Sequence, residues 1–270
     1  MRLYRLRDGA NEAAGTLAYL ECYERPRAYF FELAPDADAW DLPFILHEFA
    51  QRGMRTIDAT WSRRWVESRL VPPERQNLGE VLRTNGLETY DELRLLELTG
   101  GRCSQDACYL VPAGSEQPSA WYGQRVASRL ADVYAIGGFG LLSVFGDGEV
   151  RVCSARELLG GRRPFARVLS DEAVFARVAL QAGGHGAQWG EALAAPCAEL
   201  REAGTLLPLD PDDLRSLIGQ SVCDTAEAAQ MLGCSRQNVS DLVRRGKLPV
   251  LKAGPRGTLF LRADVLARRP

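Results

Sequence analysis

The 270-residue chain has only two lysines, Lys247 and Lys252, and only two histidines, His47 and His185. It has no apolar run near the ~20 residues that a helix needs to span a bilayer. Its opening, MRLYRLRDGANEAAG, lacks the apolar stretch of a secretory signal, so a cytoplasmic location away from membranes is expected. There is no low-complexity tract and no internal repeat. With 46% apolar and 25% charged residues, collagen-like, coiled-coil and largely disordered chains are excluded. The length points to two or three domains.

The scarcity of histidine bears on chemistry. There are seven cysteines, Cys22, Cys103, Cys108, Cys153, Cys197, Cys223 and Cys234. An odd number at irregular spacing suits buried thiols in a reducing compartment rather than a disulfide framework. Cys103 and Cys108 are the only near pair, with neither histidine close by, so no zinc site is expected. His47-Glu48 lacks a second histidine four residues on, where Gln51 stands. The 183–186 segment, Gly-Gly-His-Gly, reads as a plain turn, since no nucleophile is tied to His185. Gly137-Gly-Phe-Gly140 lacks the spacing of a phosphate cradle. Asp210, Asp212 and Asp213 lack the glycine and distal glutamate of a calcium loop and suit a helix N-terminus instead. The polar block 102–109 reads as a structured loop, and Trp61 and Trp65 as core or interface residues. No catalytic residue, metal or cofactor is assigned, and an enzyme is the least favoured class.

Charge is unevenly placed. Residues 221–270 hold nine basic and four acidic side chains, a net +5, and include both lysines. The other 220 residues hold 24 basic and 31 acidic side chains, a net −7. A cationic end on an anionic body points to a polyanionic partner for that end.

The pattern predicts an α+β, multi-domain chain: two small mixed α/β sections, 1–113 and 119–208, then a C-terminal module over 221–270. In the first section, 17–23 and 28–33 read as strands around a turn and 44–52 as a helix opened by Pro43. A strand is expected at 56–61 and a helix from Pro73 to Arg83. A further helix is expected after a Thr89/Glu92 capping box, ending at Gly100-Gly101. A linker lies at 112–118. In the second section, 133–136, 141–145 and 149–153 read as strands, with a tight turn at Gly146-Asp147-Gly148. Residues 164–169 read as extended, and short helices are expected at 156–159, after Ser170 and at 199–203. Phe145, Asp147, Gly148, Leu158, Leu159, Pro164, Phe165, Leu169, Asp171, Phe175 and Trp189 together resemble a small bacterial domain of unknown function. That family occurs alone and ahead of helix-turn-helix modules; the resemblance implies a fold and no activity.

The most specific pattern starts at Asp224. Asp224 with Glu227 can cap a first helix whose Ala228 and Leu232 share a face. Gly233 can take the left-handed conformation of a sharp turn. Ser235 caps a second helix whose Val239, Leu242 and Val243 return to the core, and Gly246 ends it. Ala229, Gly233 and Val239 stand where a helix-turn-helix places its small residue, turn glycine and core branched residue. The continuation through Lys247, Lys252, Thr258 and Leu266 resembles the winged helix-turn-helix of phage excisionases and MerR-like regulators, although no long dimerisation helix follows. The resemblance implies wing strands at 250–252 and 259–261, a tip at 254–257 and a closing turn at 264–266.

On the second helix, Arg236, Gln237, Asn238 and Asp241 are candidate readers of base edges in the major groove. Ser235, Arg244, Arg245, Lys247, Lys252 and Arg256 suit phosphates, which position without specifying sequence. The expected partner is double-stranded DNA and the expected role a bacterial or phage transcriptional regulator. The alternatives are an excisionase-like recombination directionality factor, or an antitoxin- or inhibitor-like component that meets a protein partner through the acidic N-terminal body. An oligomer is compatible with either.

Overall fold

The computed structural model describes residues 1–114, 117–255 and 257–268. It is mixed α+β and divides into two compact units, Met1–Asp147 with Arg151–Thr205, and Gly148–Val150 with Leu206–Pro270.

In the first unit, β1 (Arg2–Asp8), β2 (Ala18–Tyr23), β3 (Ala28–Leu33), β4 (Thr56–Ile57) and β5 (Cys108–Pro112) form one sheet. Its order is β4-β3-β2-β1-β5, and every pairing is antiparallel. Helices α1 (Phe44–Gln51), α2 (Ala59–Ser68), α3 (Leu78–Thr84) and α4 (Glu92–Thr99) accompany it. Alternation sends Leu20, Cys22, Phe31 and Leu33 into a core with Leu46, Trp65 and Leu96.

Three expectations change in the first unit, two of them through local capping. The strand expected at 56–61 stops at Ile57, because the Asp58 carboxylate accepts the Thr60 and Trp61 N–H groups and starts α2. The helix expected from Pro73 begins at Leu78. The cap of α4 is Asp91, not Thr89: its carboxylate accepts from Leu93 and Arg94. Gly100 closes α4 at φ 59°, as expected. The polar block 102–109 is organised by Asp106, which takes a bidentate pair from Arg69 at 2.8 and 2.5 Å, and by Cys108, which opens β5.

After α5 (Ala120–Ala127), β6 (Leu130–Ile136), β7 (Gly140–Phe145) and β8 (Val150–Ser154) run as neighbours in a sheet ordered β12-β8-β7-β6. Helices α6 (Ala155–Leu159), α7 (Ala166–Ser170) and α8 (Glu172–Phe175) follow. Residues 164–169, expected as extended, instead form a 3-10 turn running into α7: Pro164 sits in the first turn, where its missing N–H costs nothing. A three-stranded sheet of β9 (Ala179–Leu180), β10 (Gly186–Trp189) and β11 (Leu193–Pro196), then α9 (Cys197–Ala203) and β12 (Thr205–Leu206), complete this part. A second hydrophobic cluster gathers around Phe145, Phe165, Phe175 and Trp189. Sections 1–113 and 119–208 each hold a cluster, and both clusters lie in the first unit.

Strands β2 and β3 are buried on both faces. Their second face carries Glu21 and Glu32, both fully buried. Arg129 donates to Glu21 at 2.5 and 3.0 Å and to Glu32 at 2.7 Å. Arg125 adds a bond to Glu32 at 2.8 Å. Tyr122 and Tyr23 donate to Glu21 at 2.9 and 2.7 Å, and His185 Nε2 lies 2.9 Å from it. His185 stacks flat on Phe30 with centroids 3.8 Å apart. The 183–185 turn therefore delivers a buried imidazole to a charge-balanced network.

The second unit opens with α10 (Pro211–Ser221), which Asp210 and Asp213 cap reciprocally. Then come β13 (Val222–Asp224), α11 (Thr225–Leu232), α12 (Arg236–Arg244), β14 (Lys252–Gly254), β15 (Gly257–Leu261) and α13 (Arg262–Leu266). The strands form an antiparallel sheet ordered β13-β15-β14. Cys223, Ala228, Ala229, Val239, Leu248, Phe260 and Val265 make a small core.

All seven cysteines are free, and Cys22, Cys108, Cys153 and Cys223 are buried. Burial pushes the Cys108 thiol up to about 12. No helix among the described residues is long and apolar enough to cross a membrane.

Candidate nucleic-acid interface

Local chemistry positions α12. Asp224 accepts from the Ala226 and Glu227 N–H groups at 2.7 and 2.8 Å, and the Glu227 carboxylate accepts the Asp224 N–H at 2.9 Å. This reciprocal box fixes the start of α11. Gly233 ends α11 at φ 64°, a left-handed conformation that costs a residue with a side chain ~1–2 kcal/mol. The chain turns there, and the Ser235 Oγ accepts the Asn238 N–H at 3.3 Å. That bond occupies a lone pair and leaves the hydroxyl proton of Ser235 free to donate.

Val239 is fully buried, and Leu242 and Val243 pack beside it. The opposite side of α12 is exposed. Ser235, Arg236, Gln237, Asn238, Arg244 and Arg245 are all exposed, as are Lys247 beyond the helix and Lys252 on β14. At 100° per residue, Gln237 lies farthest from the core side, with Asp241 and Arg244 to either side of it. Arg236 lies toward the hairpin, where it lines one groove with Thr225, Lys252, Thr258 and Leu259. Asn238 and Arg245 lie on the other flank, where they line a shallow groove with Asp241 and Arg268. The four candidate base readers thus spread across the front and both shoulders of the helix. Asp241 is half-buried and bonded to Arg244 at 2.6 Å. Arg236, Arg245, Lys247 and Lys252 form no ion pair with another described residue. Arg256, the sixth candidate phosphate contact, lies outside the described residues.

The hairpin beside α12 consists of Lys252–Gly254 and Gly257–Leu261, about two residues later in its first strand than expected. The antiparallel partner of β15 on its other side is β13, so the hairpin is anchored to the start of α11. Phe260 points into the core while Leu259 and Leu261 remain exposed.

A family model described as a helix-turn-helix domain matches residues 222–268. Residues 222–268 are a helix-turn-helix domain. Such a domain supports DNA binding in general terms, and the caps, turn glycine and core positions above are its physical basis. Comparison with curated proteins finds no match. Among solved structures, the chain is similar to one described as "Putative DNA Binding Protein NE0471" from Nitrosomonas europaea ATCC 19718, at 23% identity. That match covers 52% of this chain and 83% of the other, with a TM-score of 0.23, too loose a likeness to bear on fold or function.

Sequence reasoning passed over Glu21, Glu32 and Arg129, and read His185 as part of a plain turn. The ligating atoms of Glu21, Glu32 and His185 lie within 4.8 Å of one another. Arg129 bridges both carboxylates, so a guanidinium already supplies the positive charge there. Burial raises the pKa of a carboxyl, yet hydrogen bonds from His185 and Arg129 hold Glu21 well below the usual carboxylate range. One signal was available: Glu21 and Glu32 are single carboxylates inside aromatic, otherwise apolar strands.

Proposed function

We propose that this chain is a sequence-specific double-stranded DNA-binding protein, cytoplasmic, and a transcriptional regulator of bacterial or phage type. It acts by binding rather than by catalysis. One observation carries the reading: α12 turns a largely exposed polar face outward, with Gln237 at its front and, on both shoulders, cations that pair with no other described residue. In this reading α12 enters the major groove and the β14–β15 hairpin acts as a wing beside it. Gln237 and Asn238 suit adenine and Arg236 suits guanine, because each can form two bonds to one base edge. Ser235, Arg245, Lys247 and Lys252 hold the backbone. Asp241 orients Arg244 and accepts from a cytosine amine. A nine-residue helix makes few contacts, so tight occupancy of one operator calls for two linked copies.

The test is selection of genomic fragments by the full chain, followed by gel shift on the enriched sequence. Changing Arg236, Gln237 and Asn238 together to alanine should abolish discrimination between enriched and scrambled DNA while weaker, salt-sensitive binding persists. Equal discrimination by the triple variant removes the assignment of α12.

A further inference from the structure

The most exposed large apolar side chains of the molecule are far from α12 in sequence. Trp40 is 80% exposed and Phe44 is 79% exposed. Neither is on a ragged end. Trp40 sits in a 3-10 turn whose cap, Asp38, accepts the Trp40 N–H at 3.0 Å. Phe44 begins α1. His47 ties them together: it follows Phe44 by three residues, so the two share a helix face. Its ring also packs on Trp40 with centroids 4.6 Å apart. The Nδ1 of His47 is 2.7 Å from the Ala39 carbonyl, which fixes the imidazole in that position. The result is a preorganised aromatic surface that water covers, and surfaces of this kind mark binding sites.

Its charge says what covers it. From 35 to 51 the chain carries Asp36, Asp38, Asp41 and Glu48 and no lysine or arginine; Arg52 pairs with Glu48 at 3.4 Å, so the acidic rim is Asp36, Asp38 and Asp41. A polyanion is repelled by such a rim. A second copy joined there by a two-fold axis would set carboxylates against carboxylates. A partner with an apolar face bordered by lysine and arginine meets both features at once. Trp is also the residue type most often dominant at the centre of protein interfaces.

We propose that the Trp40–Phe44 surface is a docking site for a protein partner that presents an apolar face rimmed with cationic side chains. This proposal is independent of the DNA-binding reading.

The probe is a short synthetic leucine–lysine amphipathic helix, with its leucine–glutamate counterpart as control, titrated by calorimetry into the full chain. The lysine peptide should bind, with affinity falling as salt rises, and the glutamate peptide should not. Trp40→Ala with Phe44→Ala should weaken binding at least tenfold while the melting curve is retained. Asp36→Asn should weaken it less and flatten the salt dependence. Equal binding of the lysine peptide to wild type and the aromatic double variant would overturn the proposal, as would equal binding of both peptides. Self-association that disappears in the aromatic double variant would assign the surface to a second copy and overturn it too.

Discussion

The Arg244 guanidinium donates to the Asp241 carboxylate at 2.6 Å within α12. The pair spans three residues on one face, and Arg244 is 74% exposed. An exposed pair of this kind contributes little to stability. Its effect is on charge: Asp241 cancels one cation on the face offered to DNA. Asp241→Asn should therefore tighten binding to scrambled duplex DNA several-fold and steepen the slope of log affinity against log salt by about 0.9, the value for one more phosphate neutralised. The protein should melt at an unchanged temperature. A salt series of fluorescence-anisotropy titrations checks this, and weaker binding by the variant would contradict it.

Gln237 and Lys247 should fail in different ways. Gln237→Ala removes a side chain that can bond both edge atoms of an adenine, so it should lose about 1–3 kcal/mol on the enriched site and almost nothing on scrambled DNA. Lys247→Ala should weaken both DNAs alike and flatten the salt slope by about 0.9. The wild-type slope itself should lie near roughly −4.5 if five phosphates are neutralised. Competition titrations at several salt concentrations separate the two signatures.

The helix-turn-helix was legible because its determinants are local. Asp224 and Glu227 are three residues apart, Gly233 and Ser235 two apart, and the core positions repeat at helical spacing. The hairpins at 18–33 and 140–154 were legible for the same reason: a turn joins neighbouring strands. Strand β1 pairs with the neighbouring β2 but was missed because it carries three arginines that read as a polar segment and no tight turn joins the two; β5 was missed because its partner, β1, is far along the chain. The Glu21 network was missed on the same ground. Arg129 is 108 residues from Glu21 and His185 is 164 away, and no local pattern reports such meetings.

The start of α11 offers a stability test within the second unit. Asp224→Ala removes the acceptor for two N–H groups and leaves Glu227 without its reciprocal role. The expected loss is about 0.5–2 kcal/mol, with Asp224→Asn recovering most of it, because asparagine also caps well. Urea unfolding followed by amide exchange in α11 and α12 would measure it. Equal stability of the alanine variant would show that the cap is redundant with packing on Phe260.

Arg129 should be the residue of the first unit least tolerant of change. Arg129→Met leaves Glu21 and Glu32 buried and without their shared guanidinium, a loss of about 3–5 kcal/mol. The triple variant Arg129→Met, Glu21→Gln, Glu32→Gln should recover most of that loss, because unpaired charge rather than missing contact is what costs. The pH dependence follows from Glu21. Desolvation opposes its ionisation, but the bonds from His185 and Arg129 prevail and its folded-state pKa is depressed. A depressed carboxylate contributes its full stabilisation above the unfolded value, near 4.3, and loses it as pH falls toward the lower folded value. The difference in melting temperature between wild type and Glu21→Gln should therefore hold level from pH 8 to about pH 5 and shrink below about pH 4. A difference that grows as the solution is acidified would mean that Glu21 is neutral in the folded protein and that Arg129 is balanced by Glu32 alone.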